Sequence, residues 1–498
     1  MTDVHSDTAS VNTTRAAESG ERSTAHYVLV VVTIFLLLQL VTFTAIMFTN
    51  ALHYMSPPFG PAELPWVVTV TFLVGSALMP LAGKLADAYG FRKLYMTVIA
   101  LFLIGSLLGA VTSSYAALIT ARVLQAPVMA LTGVHFAFLR SHLPARMVPV
   151  AVGVSTSGTG LALLIGPTVS GALLGAFGYR SVFWLCLIYM AVLAPLLWSI
   201  LPAAEQRVRR SVDVPGSLLL TLSLGLLLLG VSQGGSAGWS SYRAWLPLAV
   251  TALAAAAFVA VESRVREPAI DLNMLVGPRL RTSLLVGFFG SVPFAASGYL
   301  IPQMVESTRL PGTHYGLGFS AFQAGLTVMS TGVGALVCAP LGGFLCQHRS
   351  PRLVVLLSGA TGIAASLFLA LAHGHLWEYV IAGLLFGVSM GFYFPGTINL
   401  VIEAVPAELT GVAGGLQSVN SAFTSGAAPV VATLVLGLNV LGSTTPEGRT
   451  VYADAGYRYL GLGMAAAAAV AFVGSLRMRH GREPAAGGQA ALSTESEQ

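Results

Sequence analysis

Charged side chains are scarce in this chain: Asp, Glu, Lys and Arg make up 9% of its 498 residues, against about 25% in an ordinary soluble domain. Hydrophobic residues make up 55%, and the mean hydropathy is +0.78. A water-soluble fold could not bury that much apolar surface, so the soluble classes are excluded. Cysteine is rare, with Cys186, Cys338 and Cys346 alone, which implies no disulfide framework. A phosphate-binding glycine loop with its lysine is missing, as are a His/Cys/Asp metal cluster and a nucleophile motif. These absences argue against an ATP-driven pump and against an enzyme, and no cofactor, metal, nucleotide or nucleic acid is expected. A receptor or scaffold would want sizeable polar domains, and none is present. The period-two alternation of a membrane barrel is missing too.

What the chain has instead is long apolar runs, each near the roughly 20 residues a membrane-crossing helix needs. Fourteen are read, near 27–51, 63–83, 94–112, 115–139, 148–177, 181–201, 213–233, 245–264, 281–304, 319–341, 352–372, 376–400, 410–438 and 457–476. They are numbered here as spans one to fourteen. Helices satisfy their own backbone in lipid, so the expected fold is all-α and integral to the membrane. With the N-terminus inside, nineteen of the 25 Lys and Arg fall on the cytoplasmic side, five outside, and Arg122 within a span. That bias orients the chain with both termini cytoplasmic, and it accounts for the net charge of +5 without a nucleic-acid partner.

Charged breaks divide the runs as six, two and six. The expected organisation is a disordered cytoplasmic tail over 1–26, a six-helix bundle over 27–202, a linker with two extra transmembrane helices over 203–280, a second six-helix bundle over 281–476, and a cytoplasmic tail over 477–498. The two outer sets repeat one another: Pro80-Leu81-Ala82-Gly83-Lys84-Leu85 matches Pro340-Leu341-Gly342-Gly343-Phe344-Leu345, and Lys93-Leu94 finds Arg352-Leu353. Transporters are commonly built from such repeats, with a substrate path between them.

The stretch Gly83-x-Leu85-Ala86-Asp87-x-x-Gly90-x-Arg92-Lys93 resembles the loop signature of the major facilitator superfamily, at its place between spans two and three. Arg122 with Gln125 in span four resembles that superfamily's Arg-x-x-Gln-Gly element, with Ala126 and Pro127 in place of the glycine step. Gly166-Pro167-x-x-Ser170-Gly171 in span five resembles the signature of its antiporters, with Ala162 and Ser170 where glycines are usual. The six-two-six layout and Trp66-Val67-Val68-Thr69 resemble its fourteen-span drug:proton antiporter branch. The resemblance implies two six-helix bundles with two extra spans between them. It also implies a gating motif at Gly83, Asp87, Gly90, Arg92 and Lys93. Asp87 would act at the start of span thirteen, near Thr410–Gly415, where glycines permit tight packing. Arg92 is expected to pair with Asp87 or with an acid near Glu403 or Glu408. The plainer alternative is that these charges only set topology.

Ionisable groups inside a membrane are functional candidates by default. Arg122, Gln125 and His135 in span four, with Gln39, Thr42 and Asn50 in span one, form polar stripes. Tyr299 and Gln303 of span nine and Tyr393 and Asn399 of span twelve join them, because the resemblance implies that these spans line a central cavity. For Arg122 the structural alternative is bonding to backbone carbonyls of neighbouring spans, and for span one it is polar glue between helices. Gly158, Gly166, Pro167 and Gly171 are the expected hinge of span five. One departure stands out. The drug exporters carry an aspartate in span one where Thr44 stands here, and no Asp or Glu lies near the middle of any span. Candidate proton sites are therefore Glu63, Glu306 and His53. The expected function is export of small amphipathic organic compounds through the plasma membrane in exchange for protons. The alternative is an uncoupled facilitator or importer of a neutral or anionic metabolite.

Overall fold

The computed structural model describes residues 23–55, 65–201, 214–238, 240–263, 277–310, 313–406, 410–444 and 450–485. Helices fill the apolar runs and keep the runs' numbers as labels. Span one is Thr24–Met55, span two Pro65–Tyr89, span three Phe91–Val111, and span four a pair, Tyr115–Gln125 and Pro127–His142. Spans five to eight are Val148–Phe177, Arg180–Ile200, Val214–Ala237 and Tyr242–Glu262. Spans nine to fourteen are Pro278–Glu306, Ala321–His348, Pro351–Leu371, Leu376–Ala404, Thr410–Gly437 and Asp454–Arg477. Among the described residues, 11 helices are long and apolar enough to cross a membrane. Span four breaks where Pro127 removes a backbone donor. Trp198, Tyr242, Trp245 and Trp377 are exposed near helix ends, the level at which amphipathic rings settle in a bilayer.

The helices form two bundles. In the first, span five packs along span one, span six on span three, and span two on the second half of span four. In the second, span twelve packs on spans ten and eleven, and span nine lies against thirteen and fourteen. Spans seven and eight pair with each other, and span seven also touches both span two and span thirteen. Two seams join the bundles. Span five runs along span ten, and span thirteen meets spans two and four.

The all-α expectation holds for the fold as a whole, with one small antiparallel hairpin, Val440–Thr444 with Thr450–Tyr452, between spans thirteen and fourteen. Its partner is the span nine–ten connection, where the Tyr315 hydroxyl donates to the Tyr452 carbonyl at 2.7 Å and Asp454 pairs with His314 at 2.5 Å. The C-terminal tail, expected from about residue 477, is docked as far as residue 485. Met478 and Ala485 are buried, and the Ala485 N–H donates to the Cys346 carbonyl at 2.8 Å. Apolar side chains within a short polar-looking segment supplied anchors that composition did not weigh. Residues 1–22 of the expected N-terminal tail lie outside the described residues.

Candidate functional site

The charged dozen between spans two and three is a helical corner rather than a loop. Span two continues through Tyr89, Gly90 turns the chain with φ 85°, and span three starts at Phe91. A left-handed φ favours glycine, which has no Cβ to clash. Gly83 faces the backbone of span thirteen: a Cβ there would lie 3.0 Å from the Gly411 carbonyl carbon and 3.1 Å from the Val412 nitrogen. One helix over, a Cβ on Gly133 of span four would lie 2.7 Å from Gly415 Cα. The two bundles therefore touch backbone to backbone at this end, around the Thr410–Gly415 segment named from the sequence. Ile398 and Ile402 of span twelve are buried in the apolar core of the first bundle, and Phe394 and Val419 pack against it.

A cation that sequence reasoning counted only for topology completes this contact. Arg140, near the end of span four, donates to the carbonyls of Val405 at 3.2 Å and Pro406 at 3.4 Å, and to the Thr410 hydroxyl. Those carbonyls close span twelve, where a cation complements the negative helix end. Arg92 has an aromatic partner that the sequence reading did not name. Its guanidinium lies 3.9 Å from the centroid of the Trp198 ring at the end of span six. Guanidinium is weakly hydrated and stacks well on an indole face, and the turn at Gly90 starts span three beside that ring. Lys93 is exposed. The Asp87 side chain and Glu408 lie outside the described residues.

Arg122 is buried and held wholly by protein. Its Nε donates to the Val67 carbonyl of span two at 2.9 Å, its Nη1 donates to Gln125 Oε1 at 2.6 Å, and its guanidinium lies 3.6 Å from the Phe48 ring centroid. Gln125 Nε2 donates to Ser106 Oγ of span three at 2.8 Å. The network ties four spans of one bundle together, with one backbone carbonyl of a neighbouring span among its acceptors. His135 is buried in the second half of span four, with Nδ1 2.5 Å from the Tyr95 hydroxyl and Nε2 without a partner.

The other polar candidates are dispersed. Gln39 accepts from the Tyr189 hydroxyl of span six at 2.9 Å, and Asn50 donates to Ser170 of span five at 3.0 Å. Both act as bonds between helices. Thr42 is half-buried. In the second bundle, the Tyr393 hydroxyl donates to the Gly287 carbonyl at 2.8 Å and receives Gln417 Nε2 at 2.8 Å. Its ring meets those of Phe294 and Phe394 edge to face, with centroids 4.9 and 5.2 Å away. Asn399 is buried and donates to the Pro395 carbonyl of its own helix at 2.8 Å. Tyr299 packs against the core of the second bundle, and the buried Oε1 of Gln303 has no partner. Gln417, Tyr95 and Arg140 were missed because a single amide, phenol or arginine carries no motif.

Span five is wedged between the bundles. A Cβ on Gly158 would lie 2.5 Å from the Phe35 carbonyl of span one, and one on Gly166 would lie 3.1 Å from Ile46. Gly153 faces Gly343 of span ten, and Gly171 faces the Phe322 ring at 2.8 Å. Pro167 lies 3.3 Å from where Gly325 would carry a Cβ. Among the candidate proton sites, Glu306 ends span nine, while Glu63 and the His53 side chain lie outside the described residues.

The sequence profile described as Major Facilitator Superfamily matches residues 32–429 and 283–495. The chain is 29% identical over 394 residues to "Multidrug resistance protein Stp" of Mycobacterium tuberculosis, covering 77% of this chain and 69% of that one. It is 30% identical over 398 residues to "Cephamycin export protein CmcT" of Amycolatopsis lactamdurans, covering 76% and 74%. Among solved structures, the human organic anion transporter MFSD10 (TETRAN) superposes with a TM-score of 0.61 at 16% identity, covering 91% of this chain and 100% of that one. At that identity the likeness speaks to the fold alone.

Proposed function

Because the chain belongs to the Major Facilitator Superfamily, and is thus a transporter and not an enzyme, we propose that it exports small amphipathic organic compounds by alternating access in exchange for protons. The observation that carries the reading is the seal at the Gly83–Gly411 end. It is made of backbone contacts and of hydrogen bonds from one arginine. Parting it exposes carbonyls that water can solvate, which offsets the hydrogen bonds given up as the seal opens. The chain's relatives named for drug resistance and antibiotic export support the direction and the cargo class.

The proposal includes fourteen spans arranged as two six-helix bundles with spans seven and eight inserted, both termini in the cytoplasm, and a place in the plasma membrane. Gly83, Asp87, Gly90, Arg92 and Lys93 form the gate on the cytoplasmic side. Gly158, Gly166, Pro167 and Gly171 let span five pivot between spans one and ten. Glu63, Glu306 and His53 are the proton candidates.

A second reading, an uncoupled facilitator of neutral or anionic compounds, is favoured by the lack of any mid-span acid. Proton movement in sealed vesicles separates the two. Substrate-dependent collapse of an imposed pH gradient, absent in Asp87→Asn vesicles, supports antiport. Substrate movement with no proton signal establishes the facilitator instead.

A further inference from the structure

The docked segment after span fourteen organises a ring of cations that nothing in the proposed transport cycle uses. Three contacts fix it, and two more from Arg352 hold the end of span fourteen from which it leaves. Ser283 of span nine meets His480 Nε2 at 2.9 Å. The Arg352 N–H donates to the Gly481 carbonyl at 3.0 Å, and the Ala485 N–H to the Cys346 carbonyl. Arg352 Nε donates to the Ser475 carbonyl at 2.7 Å, and its Nη2 to that of Leu476. Gly481 sits at φ 70°, and a Cβ there would strike Leu400 of span twelve. The strap thereby draws together the ends of spans nine, ten, eleven, twelve and fourteen.

Around it stand Arg279, Arg281, Arg349, Arg477 and Arg479, all exposed. Among the described residues, none of their guanidinium groups has a hydrogen-bond or ion-pair partner. At the matching end of the first bundle Arg92 is committed to Trp198 and Arg140 to span twelve, while Lys93 and Arg146 are exposed with no docked strap beside them among the described residues. Arg352 shows that the second bundle also commits a cation where a helix end needs one; the other five are spare. Each lies in a terminal turn or just past the end of an apolar helix, which is headgroup depth in a bilayer. A phosphate at that depth belongs to a lipid.

We propose that the strap over residues 478–485 and the adjoining ends of spans nine, ten, eleven and fourteen form a collar that binds anionic phospholipid headgroups of the inner leaflet. Topology alone requires only an excess of cations on this side. The collar goes further: the strap gathers them at fixed positions and leaves them unengaged. The leaflet assignment rests on the orientation given under Proposed function.

The test uses the full-length protein in nanodiscs of phosphatidylcholine and phosphatidylglycerol, with retained lipid counted by native mass spectrometry after extraction. Wild type is expected to keep phosphatidylglycerol preferentially, and to lose it as salt rises. Arg279→Gln, Arg349→Gln and Arg479→Gln are each expected to weaken retention about fivefold, corresponding to ~1 kcal/mol per basic residue at an anionic surface. Arg243→Gln, at the far end of span eight, should change nothing. Gly481→Val, which leaves every arginine in place, should weaken retention by displacing the strap. Undiminished retention in the triple arginine variant, or competition by millimolar inorganic phosphate, would overturn the collar. Nanodiscs expose both leaflets and involve no transport, so a failed vesicle assay leaves this result standing. Labelling of Ser493→Cys by an impermeant thiol reagent on intact cells would overturn the inner-leaflet assignment and the proposed orientation together.

Discussion

Gly83 and Gly411 meet without a side chain between them, with a Cβ on Gly83 falling 3.0 Å from the Gly411 carbonyl carbon. Two helices from different bundles thus come as close as backbones allow, and any added carbon must push them apart.

Gly83→Val is therefore expected to hold this end open. In the variant, a thiol placed at Ser418 should react with a reagent supplied from the cytoplasmic side several-fold faster than in the parent. Transport should fall at least tenfold while the protein remains monodisperse. Equal labelling rates would mean that the contact is not the seal.

Arg122 is predicted to act through stability. Hydrogen bonds to charged groups are worth about 1.5–3 kcal/mol, and Arg122→Met removes those to Val67 and Gln125 together with the contact to Phe48. A loss of about 3 kcal/mol is expected on that basis, read as a lower melting midpoint in detergent. Gln125→Leu should cost less, and the double variant less than the sum, since the groups share one network. A normal midpoint with abolished transport would assign Arg122 to coupling instead.

His480 makes the docked strap sensitive to acid. Burial, with the nearby Arg279 charge second, pushes its pKa from 6.5 down to about 4. The folded state thus binds this proton less readily than the unfolded state does. Its contribution to stability is present above pH 6.5 and is lost as pH falls towards 4. The melting midpoint of wild type should drop more steeply across that window than that of His480→Asn, measured in parallel.

The span five–ten seam should tolerate no bulk. A Cβ on Gly160 would lie 2.9 Å from the Ala335 carbonyl carbon, and Gly175 has nothing within 4 Å. Gly160→Leu is expected to abolish folded protein on fluorescence-detected gel filtration. Gly175→Ala should be neutral or stabilising, by up to ~1 kcal/mol, as expected for replacing glycine within a helix.

The sequence by itself determined the apolar runs, the charge bias between their ends, and the repeat that pairs Gly83 with the second bundle's Gly343. These are local properties, since lipid makes each helix satisfy its own backbone and so writes it into contiguous residues. Thr410–Gly415 was also legible as the contact for the signature, because small residues in a row announce close packing. Only the tertiary structure decided which partner each polar group took. Arg92 lies over the Trp198 ring, Arg122 closed on Val67 and Gln125, and Arg140 crossed to the other bundle. A long cationic side chain can reach acceptors on several helices, and the choice among them depends on helix rotation and depth. The docked strap was hidden for the same reason: Met478, Gly481 and Ala485 have meaning only against the helix ends that receive them.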